Sequence, residues 1–121
     1  MSVNKSGSDV GLDVAFEEMK ELSDRGAKNI IDVREPSELV AEGAIPSAIN
    51  IPLAKLKETL QLTPSDLNAL HGLAITDHNS EIILTCRSGA RSARAREMAK
   101  EVGYTNIRVY GGGILEWNAK K

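Results

Sequence analysis

The sequence has one cysteine, two histidines, one phenylalanine, one tryptophan and two tyrosines in 121 residues. A single thiol excludes an intrachain disulfide. It also excludes a zinc site built mainly from thiolates, and His71 and His78 are too few to replace them. A lone thiol suits a reducing compartment better than a secreted one. No run approaches the roughly 18–20 consecutive apolar residues that cross a bilayer. An excess of one charge is missing too: 15 basic against 17 acidic residues give a net charge of −2. The chain therefore has no global pull toward nucleic acid or an anionic membrane. With so few aromatics there is no obvious sticky patch, and a monomer is expected. Residues 1–8 lack the apolar centre of a signal peptide and the arginines of a mitochondrial presequence. They read as a disordered tail ahead of one domain over residues 9–121. A cytoplasmic location follows as the default, with the mitochondrion as the alternative.

What is present is an alternation of short β-branched runs with helical patterns, which predicts an α/β domain with a mostly parallel sheet. A chain of this length buries roughly two-thirds of its unfolded surface, enough for one core without disulfide or metal. Asp13 is expected to cap a helix with Ala15, Met19 and Leu22 on its apolar side, ending near Gly26. Residues 29–33 and 48–51 read as strands. Between them a helix opens at Glu35 and Pro36, with acids favouring its N-terminus, and Gly43 stops it. Residues 53–80 are the least decisive: Thr63 or Ser65 could cap a helix to Leu70 with Pro64 in its opening turn, and residues 76–80 are polar turn material. A strand over residues 82–85 precedes a helix to about Val102, ended by Gly103. Residues 106–110 form the last strand, residues 111–113 a flexible turn, and residues 114–119 a terminal helical turn.

The densest chemistry lies at Cys86-Arg87-Ser88-Gly89-Ala90-Arg91-Ser92. The apolar stretch before it reads as a strand. After it, Ala95, Met98, Ala99 and Val102 recur at helical spacing. The thiol thus sits where a strand becomes a helix, near unsatisfied N–H groups and the positive end of the helix dipole. Gly89 and its small neighbours let consecutive N–H groups turn inward as an anion nest. Four of the chain's seven arginines (Arg87, Arg91, Arg94, Arg96) fall between Ile82 and Arg96, with no acid among them. Both features favour the thiolate, the reactive form of sulfur. Lone cysteines are ordinarily buried small hydrophobes, but the combination of strand, glycine loop, arginines and helix points to a nucleophile. The other groups read as structural. His71 and His78 are solvated, residues 111–113 lack the spacing of a dinucleotide loop, and Trp117 packs to anchor the C-terminus.

Three ordered segments resemble the rhodanese family over residues 9–118. The loop from Cys86 to Ser92 is similar to its active-site loop. Ile31-Asp32-Val33-Arg34, Glu38 and the run from Gly43 to Pro52 resemble its N-terminal signature. Gly103-Tyr104, the run from Val109 to Gly113, and Trp117 match the C-terminal one. The insert around residues 60–70 resembles the small eukaryotic single-domain members related to heat-shock protein 67B2. Alanine at position 44 and serine at position 47 depart from the family's usual histidine and glycine.

The resemblance implies a single α/β domain with a central, mostly parallel five-stranded sheet and helices on both faces. It implies a thiosulfate sulfurtransferase in which Cys86 takes the outer sulfur of a small anionic donor as a persulfide. That sulfur then passes to cyanide, sulfite, glutathione or a protein thiol such as that of a thioredoxin-like protein. No metal and no organic cofactor are implied, and neither nucleic acid nor membrane is a partner. Arg87, Ser88, Gly89, Ala90, Arg91 and Ser92 would hold the donor, Arg91 through paired hydrogen bonds to an oxyanion. Asp32 and Arg34 would brace the site. One alternative is a persulfide carrier or protein-binding module. A less favoured one is a phosphatase or arsenate reductase of the Cdc25 kind. Loops of that kind hold five residues between cysteine and arginine, usually with histidine before the cysteine. Here there are four, and Thr85 precedes Cys86.

Overall fold

The computed structural model describes residues 13–121; the tail expected over residues 1–8 lies outside them. The elements in chain order are α1 (Phe16–Asp24), β1 (Ile30–Asp32), α2 (Pro36–Glu42), β2 (Ile49–Asn50), α3 (Leu53–Leu60) and α4 (Pro64–His71). They continue with β3 (Ile82–Thr85), α5 (Ala90–Glu101), β4 (Ile107–Tyr110) and α6 (Gly113–Lys120). Every strand pair is parallel, in the order β2-β1-β3-β4. Parallel strands need crossovers that cover both faces, so β1 and β3 are buried at every residue. Ile31, Ile82, Leu84 and Val109 pack with Leu56, Leu60, Ala95 and Ala99 in one core cluster. Ile30, Ile83 and Tyr110 pack with Met19, Leu22, Ile114 and Trp117 in the other. Trp117 also lies against Phe16, with ring centroids 5.6 Å apart, and so ties the terminal helix to α1.

Among the described residues the sheet has four strands where five were expected. Beside β4 these residues make one parallel bridge, Asp13 to Val109, with Val14 N–H donating to Val109 O at 2.8 Å. The chain enters α1 at Phe16, so the pairing does not run on past Val14. For the same reason Asp13 does not cap α1. The cap position is Ala15, which has no side-chain hydrogen bond there, and the Asp13 carboxylate instead meets Arg96 at 3.4 Å. The indecisive region holds two helices. Leu56 and Leu60 bury one face of α3, and Thr63, not Ser65, caps α4 by accepting from Asp66 N–H at 3.1 Å. Ser47, where the family usually has glycine, has a left-handed φ of 80°. Its hydroxyl donates to Ser23 O at 3.1 Å, which helps hold a conformation glycine would adopt without strain. Among the described residues no helix is long and apolar enough to cross a membrane.

The topology puts the ends of β1 and β3 side by side at the sheet's carboxyl edge, with Asp32 opposite Thr85. The chain leaves β1 toward β2 and leaves β3 toward β4, so the two loops diverge there and open a crevice. The β1 loop is built on Arg34, whose side chain is fully buried. Its Nε and Nη2 donate to the Asp32 carboxylate at 3.1 and 2.7 Å. Nη2 also donates to Gly43 O at 2.9 Å, and Nη1 to Glu38 O at 3.4 Å. The guanidinium thus ties the carbonyls of Glu38 in α2 and of Gly43 just beyond it to the end of β1. Asn50 closes the other side, donating to Asp32 O and Arg34 O at 2.9 and 2.8 Å. Arg34→Met should cost about 3–5 kcal/mol, the range for stranding one partner of a buried pair. A urea titration read by far-ultraviolet dichroism measures it.

Candidate active site

Cys86 follows the last residue of β3 directly and is 1% exposed. Its Sγ accepts from Gly89 N–H at 3.0 Å and lies 3.5 Å from Ser92 Oγ, with the thiol as donor. The Ser92 hydroxyl donates to Gly89 O at 3.0 Å. Burial pushes the thiol pKa up. Hydrogen bonds from the Ser92 hydroxyl and from the backbone of Ser92, Gly89 and Ser88 more than offset this and hold it below its ordinary value. The expected nest therefore exists, and it is the backbone plus one hydroxyl. On ionisation Sγ can no longer donate, so the Ser92 hydroxyl is free to turn from Gly89 O to the sulfur.

A loop whose N–H groups face one atom must send its carbonyls elsewhere, and the first turn of α6, just after the glycine run, receives them. Ile114 N–H donates to Cys86 O at 3.0 Å and Leu115 N–H to Arg87 O at 3.3 Å. Gly113 has a φ of 62°, and a Cβ there would collide with both carbonyl oxygens. Gly89, at φ 109°, comes so near the Gly111 carbonyl that a Cβ would lie 2.8 Å from its oxygen. The segment expected to be a flexible turn is thus a buttress, and it opens an eight-residue helix. Three consecutive glycines before an apolar stretch were the available signal. Their contact with the loop was not in the local sequence.

The loop arginines have partners that the sequence reading did not assign. Arg91 donates from Nη1 and Nη2 to the two Glu38 oxygens at 2.6 and 2.8 Å. The paired hydrogen bonds expected for an oxyanion are therefore made with a carboxylate of α2. Glu38 also accepts from Glu35 N–H at 2.9 Å in a capping box, so one side chain caps α2 and holds Arg91. The Arg91 hydrogen bonds, aided by that of the Glu35 backbone, hold the Glu38 pKa at about 2. Arg87 donates from Nε to Glu42 Oε2 at 2.9 Å. Glu38 and Glu42 are four apart on α2 and so share a face, and Arg87 and Arg91 are also four apart. That matched spacing was legible but is recognisable only once α2 is known to face the loop.

Ser88 and Ala90 are exposed on the loop, Ser92 is buried beneath it, and Asp32 and Arg34 act behind it through α2. Arg96 points to Asp13, and Arg94 is exposed further along α5. His78 lies against Tyr104, ring centroids 4.7 Å apart, beyond the far end of α5. That helix is about 18 Å long, so His78 is no partner for the thiol.

Alkylation of Cys86 by iodoacetamide, followed against pH, should show a midpoint below the ordinary thiol value of about 8.5. Ser92→Ala should raise that midpoint by about half to one unit, the worth of one hydrogen bond. The lowered pKa also has a stability consequence. The thiolate's contribution is fully present above the unfolded thiol's pKa and is lost as pH falls through the folded one. Gly113→Ala should both destabilise the fold and slow alkylation at fixed pH. Calorimetry and the same rate assay would read the two effects.

Comparison with known proteins gives consistent matches. The human thiosulfate:glutathione sulfurtransferase is 34% identical over 109 residues, spanning 89% of this chain and 94% of that protein. The mitochondrial thiosulfate sulfurtransferase RDL2 of Saccharomyces cerevisiae is 38% identical over 93 residues, spanning 77% of this chain and 62% of its own. The structure of the human single-domain sulfurtransferase TSTD1 superposes with a TM-score of 0.77 at 33% identity, covering 91% of this chain and 97% of that one. Residues 15–120 match the model of the rhodanese-like domain. With its parallel sheet, cysteine loop and arginine-bearing helix, the chain belongs to the rhodanese-like domain family.

Proposed function

We propose that the protein is a thiosulfate sulfurtransferase that carries sulfur as a persulfide on Cys86 and delivers it to glutathione. The observation that carries this reading is a buried sulfur with a lowered pKa, cradled by Ser88, Gly89 and Ser92. A thiolate so enclosed can meet the terminal atom of a slender donor but leaves little room for a tetrahedral phosphate. In the first half-reaction the thiolate attacks the outer sulfur of thiosulfate. A sulfur–sulfur bond forms on Cys86, the donor's sulfur–sulfur bond breaks, and sulfite leaves with the electron pair. In the second, glutathione thiolate attacks the outer persulfide sulfur, and Cys86 leaves as thiolate with its charge back in the nest. This is ping-pong covalent catalysis, complete without metal or organic cofactor.

The loop N–H groups and the α5 dipole would hold the persulfide's negative terminus, as they favour the thiolate. Arg87 would grip the donor's sulfonate with its terminal nitrogens. Arg91, engaged by Glu38, adds charge to the site and keeps α2 against the loop. Ala90 keeps the cradle open with a minimal side chain, and Asp32 and Arg34 brace α2. Every group in the scheme comes from one chain, so we take the active unit to be a monomer. The unpaired thiol and the mitochondrial relative support a reducing compartment, cytoplasm or mitochondrion.

The test is turnover of thiosulfate with glutathione, beside Cys86→Ser. The wild type should release sulfite, and mass spectrometry after thiosulfate alone should find the protein one sulfur atom heavier. Cys86→Ser should show neither. Equal turnover by both proteins, or turnover of an aryl phosphate in place of thiosulfate, would overturn the reading. A stable persulfide that passes only to a protein thiol would replace glutathione with a protein acceptor such as a thioredoxin-like one.

A further inference from the structure

Arg87 and Arg91 are held in different ways. Both terminal nitrogens of Arg91 are taken by Glu38. Glu42 takes only Nε of Arg87, and the guanidinium is half exposed. Glu42 is the fixed member of its pair. Its carboxylate lies 3.8 Å from the buried Arg34, and its backbone carbonyl accepts from Asn118 of α6 at 2.9 Å. A guanidinium edge and a carboxylate therefore stand together one residue from the sulfur. Thiosulfate, a dianion, has use for the first and is repelled by the second. A ligand carrying both charges is complemented by both.

We infer that Glu42 and Arg87 form an acceptor subsite for the γ-glutamyl zwitterion of glutathione, Glu42 receiving its α-ammonium and Arg87 its α-carboxylate. The inference rests on the proposed reaction and assigns the place where its acceptor is recognised. The γ-glutamyl link puts the two charges roughly 7 Å from the cysteinyl carbon, about two extended residues, and Arg87 is the next residue after Cys86. Leu115, whose N–H bonds to Arg87 O, is among the large apolar side chains left exposed. Because the two half-reactions are separate, Arg87 serves the sulfonate first and the carboxylate second. Glu42 takes part only in the second, as a specificity residue that does not touch the reacting sulfur.

The experiment compares glutathione with glutaryl-cysteinyl-glycine, which lacks only the ammonium, using the full chain first loaded by thiosulfate. The wild type should favour glutathione over the glutaryl peptide by about five-fold in kcat/KM, the worth of a well-placed exposed charge pair. Glu42→Gln should erase that preference by raising the glutathione KM toward that of the glutaryl peptide, whose own KM stays level. Loss of a merely structural contact would instead raise the KM of both peptides alike. That result overturns the subsite, as does a wild type that passes sulfur equally well to both peptides, or a Glu42→Gln protein that keeps the preference. A wild type that takes no sulfur from thiosulfate fails earlier: it overturns the proposed reaction, and the subsite with it.

Discussion

The site depends on one buried cation. Arg34 reaches from the end of β1 to the Asp32 carboxylate and to the carbonyls of Glu38 and Gly43, so it fixes the position of α2 over the sheet's carboxyl edge. A buried ion pair is weak evidence of net stability, since desolvation offsets much of its attraction. Its consequence here is geometric. Apolar residues could fill the same volume, but they could not hold the carbonyls of Glu38 and Gly43 or determine which face that helix turns to the cysteine loop. That face carries Glu38 and Glu42, and they hold the two arginines that flank the loop.

The second constraint is directional. A peptide unit points its N–H and C=O opposite ways, so a nest that gathers N–H groups on one sulfur must discharge its carbonyls behind it. The N-terminus of α6, where N–H groups lack helical partners, takes them. Gly113 lets that helix approach the loop backbone, and Gly89 allows the loop's own reversal. The anion site is therefore made by two helix ends: α5 directs N–H groups at the sulfur, and α6 absorbs the loop's carbonyls.

Much of this was legible in the chain. The β-branched runs marked the four described strands, most clearly β1 and β3, because fully buried parallel strands read as near-continuous apolar segments. Pro36 and Pro64 marked helix starts, since a fixed φ and a missing N–H cost nothing at that position. Cys86, Gly89 and Ser92 stood out because they are adjacent in sequence and act together in space. Asp13 misled, since a good capping residue was claimed instead by a backbone bridge to Val109 and by Arg96. The fifth strand was an expectation of the family rather than of any run of residues, and the described residues show only the bridge at Asp13 beside β4.

The sequence by itself determined the class of fold, the candidate nucleophile and the short loop that cradles it, because local propensity and contiguous residues decide those. Only the tertiary structure decided what the arginines do. Glu42 and Arg87, and Glu38 and Arg91, are separated by 45 and 53 positions, and their pairing exists only because parallel strands bring the β1 and β3 loops to one edge. The same holds for residues 111–113: three glycines imply freedom locally, but Gly113 lies so near the carbonyls of Cys86 and Arg87 that a side chain there would collide with them. The physical reason is common to both. Charge pairing and close backbone approach depend on distance in space, and sequence spacing reports that only within a single turn or helix.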